Sequence, residues 1–103
     1  MTKPLHIFIE YKIKEQSVEA YERAMKERIL RELPLHGASN IQWFAAHDQP
    51  CLYVEMFEVP ASSYYHALQE LRQSENAPVF GEICQYVAGG SQKIHCWAFQ
   101  RKE

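Results

Sequence analysis

Three side chains of types that move protons, Glu10, Glu55 and His95, sit among aromatic residues in stretches of alternating polarity. Glu10 lies in LHIFIEYKI (residues 5–13), Glu55 in CLYVEMFEV (51–59) and His95 in KIHCWAFQ (93–100). Successive side chains of a strand point to opposite faces. Glu10 therefore shares a face with His6 and Phe8, Glu55 with Tyr53 and Phe57, and His95 with Trp97 and Phe99. A carboxylate among rings is desolvated, which raises its pKa and suits it to accept a proton from an acidic C–H or O–H. A nearby imidazole can share that proton or orient a substrate. The same groups could instead form a Glu–His or Glu–Tyr network across an interface, without turnover. Imidazole and carboxylate are also competent metal ligands, but no HxH or HxxxE spacing supports a site. Neither a metal nor another cofactor is expected; haem ligation by His95, His66 or His6 rests on residue type alone.

The rings around these groups are candidate walls for a planar organic molecule. Trp97, Tyr53, Phe8, Phe57 and Phe99, with His6, form the expected substrate-binding set, and packing against a partner sheet is the alternative use of the same rings. Trp43 and Phe44 point to opposite faces, so one of them joins the lining, and the sequence does not say which. Tyr64, Tyr65 and His66 open a helix, and His36 and His47 lie in turns, where a solvated role is expected.

The elements that must position these residues can be read from periodicity. Residues 5–13 alternate strictly, with Leu5, Ile7, Ile9, Tyr11 and Ile13 on one face. Ser17 is placed as an N-cap, and Val18, Tyr21, Met25, Ile29 and Leu33 recur at helical spacing. Glu19/Arg23, Glu22/Lys26 and Glu27/Arg31 are i,i+4 pairs for its solvated side. Pro34 and Gly37 end that helix. Residues 41–46 form a second strand, joined through the turn His47-Asp48-Gln49-Pro50 to a third at 51–59. A second helix starts at Ser62 or Ser63 and carries Tyr64, Tyr65, Leu68 and Leu71. Ser74–Pro78 interrupts it, and a short helix over 79–87 follows with Pro78 in its first turn. Gly89-Gly90 ends that helix, and 93–100 is the last strand.

The order β-α-β-β-α-β predicts an α+β, ferredoxin-like domain spanning residues 1–103, with a four-stranded antiparallel sheet in the order 4-1-3-2. Both helices lie on one face. The aliphatic side of residues 51–59, with Leu52, Val54 and Met56, is expected beneath them. His6, Phe8, Glu10, Tyr53, Glu55, Phe57, His95, Trp97 and Phe99 then occupy the open face. A ring-rich patch of that kind is untypical of a soluble monomer. Each ring can bury ~150–250 Å², so a second copy of the chain is the expected cover. A homodimer enclosing a small organic ligand follows.

Composition narrows the alternatives. A chain of 103 residues is one domain and of marginal stability alone. Net charge is −2 with no basic stripe, against nucleic acid as the partner. No apolar run approaches membrane-helix length and no signal-peptide core follows Met-Thr-Lys-Pro, so a cytoplasmic location is expected. Three cysteines without a CxxC spacing predict small buried thiols, not a disulfide framework or zinc knuckle.

With these elements in place, nearly the whole chain resembles the dimeric α+β barrel superfamily, most closely the antibiotic biosynthesis monooxygenase-like proteins. The resemblance is carried by Asp48-Gln49-Pro50 followed by Leu52-Tyr53-Val54-Glu55-Met56-Phe57, similar to that family's hairpin and third strand. Gly37 before the second strand and Phe80 after the broken helix are similar too. The chain departs at Leu71-Arg72-Gln73, where members often carry a histidine. The resemblance implies a homodimer and cofactor-independent oxygenation or isomerisation as candidate activities. A dimeric ligand-binding or regulatory module is the alternative.

Overall fold

The computed structural model describes residues 3–102. Met1, Thr2 and Glu103, included in the expected single domain, lie outside the described residues. Four strands, β1 (Leu5–Lys12), β2 (Ser39–Ala45), β3 (Leu52–Val59) and β4 (His95–Phe99), form one antiparallel sheet. Its order is β2-β3-β1-β4, as the element sequence predicts. The first helical stretch begins as α1 (Val18–Ala24), passes through a π-helical turn (Met25–Ile29) and α2 (Leu30–Glu32), and ends as a 3₁₀ turn (Leu33–His36). Ser17 stands at the N-cap position of α1 without a side-chain capping bond. The helix runs through Pro34 and stops at Gly37, whose φ of 89° is left-handed. A Cβ at Gly37 would also meet the Tyr64 ring at 2.6 Å. Of the predicted surface pairs, Glu19–Arg23 is formed at 3.6 Å.

The second helix, α3 (Ser62–Arg72), begins where the sequence places it. The short helix does not. Val79 has a φ of 63°, and the Phe80 N–H bonds the Pro78 carbonyl at 2.7 Å, closing a tight turn. A β-branched residue is disfavoured there, and the helix α4 is confined to Gly81–Cys84.

Ile7, Ile9 and Tyr11 of β1 pack under Tyr21, Met25, Ile29 and Leu33 of the first helical stretch. Leu68, Phe80, Ile83 and Val87 complete the core. One expectation about the sheet is overturned. In β3 it is Tyr53, Glu55, Phe57 and Val59 that are buried, and Leu52, Val54, Met56 and Glu58 that are half-exposed on the open face. Both faces of this strand are apolar enough to be buried, so alternation alone does not orient it. Polar partners do: Arg72 of α3 meets Glu55, and Glu22 of α1 meets Tyr53 at 2.6 Å. The cysteines are free; Cys84 is buried, while Cys51 and Cys96 are half-buried. Cys51 lies in the turn before β3 with a φ of 65°.

Candidate functional site

The open face is built by β1 and β4 in register. His6 pairs with Phe99, Phe8 with Trp97, and Glu10 with His95. Directly opposed residues of an antiparallel pair bring their Cβ atoms within about 4.5–5.5 Å. Phe8 and Phe99 meet edge to face at 5.2 Å, and His95 stacks on Trp97 at 5.9 Å and 19°. Val54 of β3 flanks Glu10 on its other side. A concavity of about 640 Å³ lies over these residues, lined by His6, Phe8, Glu10, Val54, Trp97 and Phe99, with Gln100 and Arg101 at its rim. The rings are not covered by the chain itself: Trp97 is 44% exposed, Phe99 52% and Phe44 49%. Phe44, and not Trp43, is the residue of that pair on this face.

The predicted constellation is therefore split. Glu10 and His95 come together on the open face, with His6, Phe8, Trp97 and Phe99. Glu55, Tyr53 and Phe57 do not join them; they lie under the helices. Glu55 is wholly buried, held by Arg72 through Nη1–Oε1 and Nη2–Oε2 contacts of 2.6 Å each. It also accepts a hydrogen bond from Tyr11. The Tyr11 hydroxyl is 2.6 Å from that of Tyr21, and Trp43 Nε1 donates to Tyr21 at 2.9 Å. Arg72 stacks over Phe80 at 5.3 Å, and among the described residues its Nε–H meets no hydrogen-bond acceptor.

These contacts set the protonation states. Burial works against the charge on Arg72, but the Glu55 carboxylate outweighs it and holds the guanidinium's pKa above its ordinary value. Burial first, then the charge on Glu55, push the phenols of Tyr11 and Tyr21 well up. Burial, then donation to Glu22, does the same for Tyr53. Burial also pushes the Cys96 thiol up to about 11. Among the described residues, no three His, Cys, Asp or Glu side chains converge as a metal ion would require.

The buried cluster was missed by reading the strands one at a time. A signal was present: Tyr65, Leu68 and Arg72 fall at i, i+3 and i+7 of α3. An arginine on an apolar helical stripe calls for a buried carboxylate. Glu55 is the acid whose strand then has to face inward.

No protein-family model and no curated protein matches the sequence. Solved structures match throughout. A conserved protein from Methanosarcina mazei superimposes with a TM-score of 0.72 at 12% identity, covering 98% of this chain and 95% of that one. An antibiotic biosynthesis monooxygenase gives 0.73 at 12% identity, covering 96% and 99%. The fold is that of the antibiotic biosynthesis monooxygenase-like proteins. A NIPSNAP family protein from Agrobacterium tumefaciens shares it, with a TM-score of 0.71 at 10% identity over 100% and 90% of the two chains. Among the described residues, no helix is long and apolar enough to cross a membrane.

Proposed function

We propose that this chain is a cytoplasmic homodimer. Its open sheet face binds a small planar organic molecule, and Glu10 begins a cofactor-independent oxidation by taking a proton from it. The observation that carries this reading is a concavity of about 640 Å³ lined by Phe8, Trp97, Phe99 and Glu10, with His95 opposite Glu10 in the β1–β4 register beside it. Its size suits a drug-sized ligand. Phe8, Trp97 and Phe99 stack on the ring system, and His95 orients the group that Glu10 deprotonates. Deprotonation makes an electron-rich arene that can give electrons to dioxygen directly; a hydroxyarene and O2 yield a quinone and water. The monooxygenase-like fold and three free cysteines, which suit a reducing compartment, support the assignment. Glu55, enclosed with Arg72, has no place in this step.

The test combines assembly with turnover. Sedimentation equilibrium at micromolar concentration should give a dimer. With a naphthalenediol as probe substrate, oxygen uptake should fall about 100-fold or more in Glu10→Gln with unchanged circular dichroism. A monomer removes the enclosed site. A dimer that binds the probe with the same uptake in both proteins makes the face a binding module and removes Glu10 as the base.

A further inference from the structure

The buried residues outside that site form a directed file, and counting hydrogens fixes its direction. The Trp43 indole N–H can only donate, and it reaches the Tyr21 oxygen at 2.9 Å. Tyr11 has one hydroxyl hydrogen, which goes to the Glu55 carboxylate. The 2.6 Å contact between the two phenols therefore has Tyr21 donating to Tyr11. Each hydrogen points one residue inward, from Trp43 on the edge strand β2 to Glu55 in the core. The rings follow the same path, with centroids 6.0 Å apart for Trp43–Tyr21 and 5.6 Å for Tyr21–Tyr11. Trp43 is half-buried at the outer end, whereas Tyr11 is 1% exposed.

We propose that this file conducts an oxidising equivalent from Trp43 at the sheet edge to Tyr11, where it rests as a protected tyrosyl radical. The co-reactant is a one-electron oxidant of the peroxyl or aryloxyl radical class. It takes an electron from Trp43 and, with a proton from water, becomes a hydroperoxide or phenol. The Trp43 radical cation is refilled by an electron from Tyr21. As that electron leaves, the Tyr21 hydrogen shifts to the Tyr11 oxygen and the former Tyr11 hydrogen shifts to Glu55. Tyr11 then returns a hydrogen atom to Tyr21. The net change is one electron lost from Tyr11 and its proton held on Glu55. In the net change one electron moves outward and one proton moves inward from Tyr11 to Glu55, and every transferred proton uses a hydrogen bond already in place. With the proton on it, Glu55 no longer balances the Arg72 charge but still offers it two acceptor oxygens, and burial keeps solvent reductants from the radical. Tyr53 offers a competing branch, since it stacks on Trp43 at 6.1 Å and donates to Glu22.

The experiment uses a Trp97→Phe background, so that Trp43 is the sole indole, with photogenerated tris(bipyridine)ruthenium(III) as oxidant and frozen-solution electron paramagnetic resonance as readout. A neutral tyrosyl signal should form and decay at least ten times more slowly than in Tyr11→Phe. Trp43→Phe should lower its yield several-fold, and Tyr53→Phe, which closes the competing branch, should leave the lifetime unchanged without lowering the yield; a lifetime lost in Tyr53→Phe overturns the assignment to Tyr11. The same lifetime in a natively folded Tyr11→Phe, or an unchanged yield in Trp43→Phe, overturns the proposal. Should Tyr11→Phe not fold, Tyr21→Phe serves: the radical should then appear as an indolyl species, and a persistent tyrosyl signal overturns the relay.

Discussion

At the residue scale, the molecule separates its two strand glutamates by environment. Glu10 is on the accessible face with an imidazole opposite. Glu55 is enclosed and matched by a bidentate guanidinium. Removing one partner of such a buried pair typically costs 3–5 kcal/mol because the other charge is stranded. The phenols hydrogen-bonded around Glu55 report on the same enclosure through pH. Tyr11 and Tyr21 hold their protons well above the ordinary tyrosine range in the folded chain, whereas both ionise near pH 10 when unfolded. Above pH 10 the native state thus binds more protons than the unfolded state, and stability falls as pH rises. Below that it is undiminished. Each phenol contributes about 1.4 kcal/mol per pH unit. Stability from urea denaturation should fall between pH 9 and 11, and Tyr21→Phe should remove about 1.4 kcal/mol of that fall across the whole window, because the unfolded phenol is half ionised at about pH 10. An equal slope in both proteins would show that these phenols ionise as freely folded as unfolded.

At the element scale, the tight loop between α3 and α4 sets where Arg72 and Phe80 meet. A Cβ added at Gly81 would lie 2.6 Å from the Glu75 carbonyl oxygen, which is backbone and cannot swing aside. Two effects oppose each other here. Alanine in a helix is favoured over glycine by up to ~1 kcal/mol, whereas forcing atoms into an occupied space costs ~1–3 kcal/mol. The clash should win: Gly81→Ala is expected to lower stability by about 1–2 kcal/mol, read from urea denaturation, and a stabilised variant would show that the loop gives way. Sequence reasoning found strand order, both hairpin partners and the start of α3, because local period and turn residues carry that information. It read Pro34 and Gly37 together as the helix end; the backbone stays helical through Pro34 and stops at Gly37, where a left-handed turn is needed. It missed the facing of β3 for a different reason. Leu52, Val54 and Met56 oppose Tyr53, Glu55 and Phe57 on nearly equal apolar terms, and the deciding contact is Arg72, seventeen residues along the chain. Glu10 and His95 were legible because their strands have one plainly aliphatic face each.

At the scale of the whole molecule, the question is what covers the sheet. The chain exposes 6558 Å², more than the roughly 6,000 Å² expected for a monomer of 12.1 kDa. Unburied rings stand on both outer strands, Phe44 on β2 and Phe99 on β4. Three strand spacings of about 4.8 Å put those strands roughly 14 Å apart. A small ligand seated over β1 and β4 cannot shelter Phe44, whereas a second sheet laid across the first shelters both edges at once. That geometry makes a two-sided prediction. Phe44→Lys and Phe99→Lys, each placing a charge in the proposed interface, should both weaken the proposed dimer at least tenfold in sedimentation equilibrium, although they sit on opposite edges. A loss confined to Phe99→Lys would mean that the two copies overlap only over the concavity. The Phe44 edge would then be left in water, and the space between the sheets would be a half-open cleft.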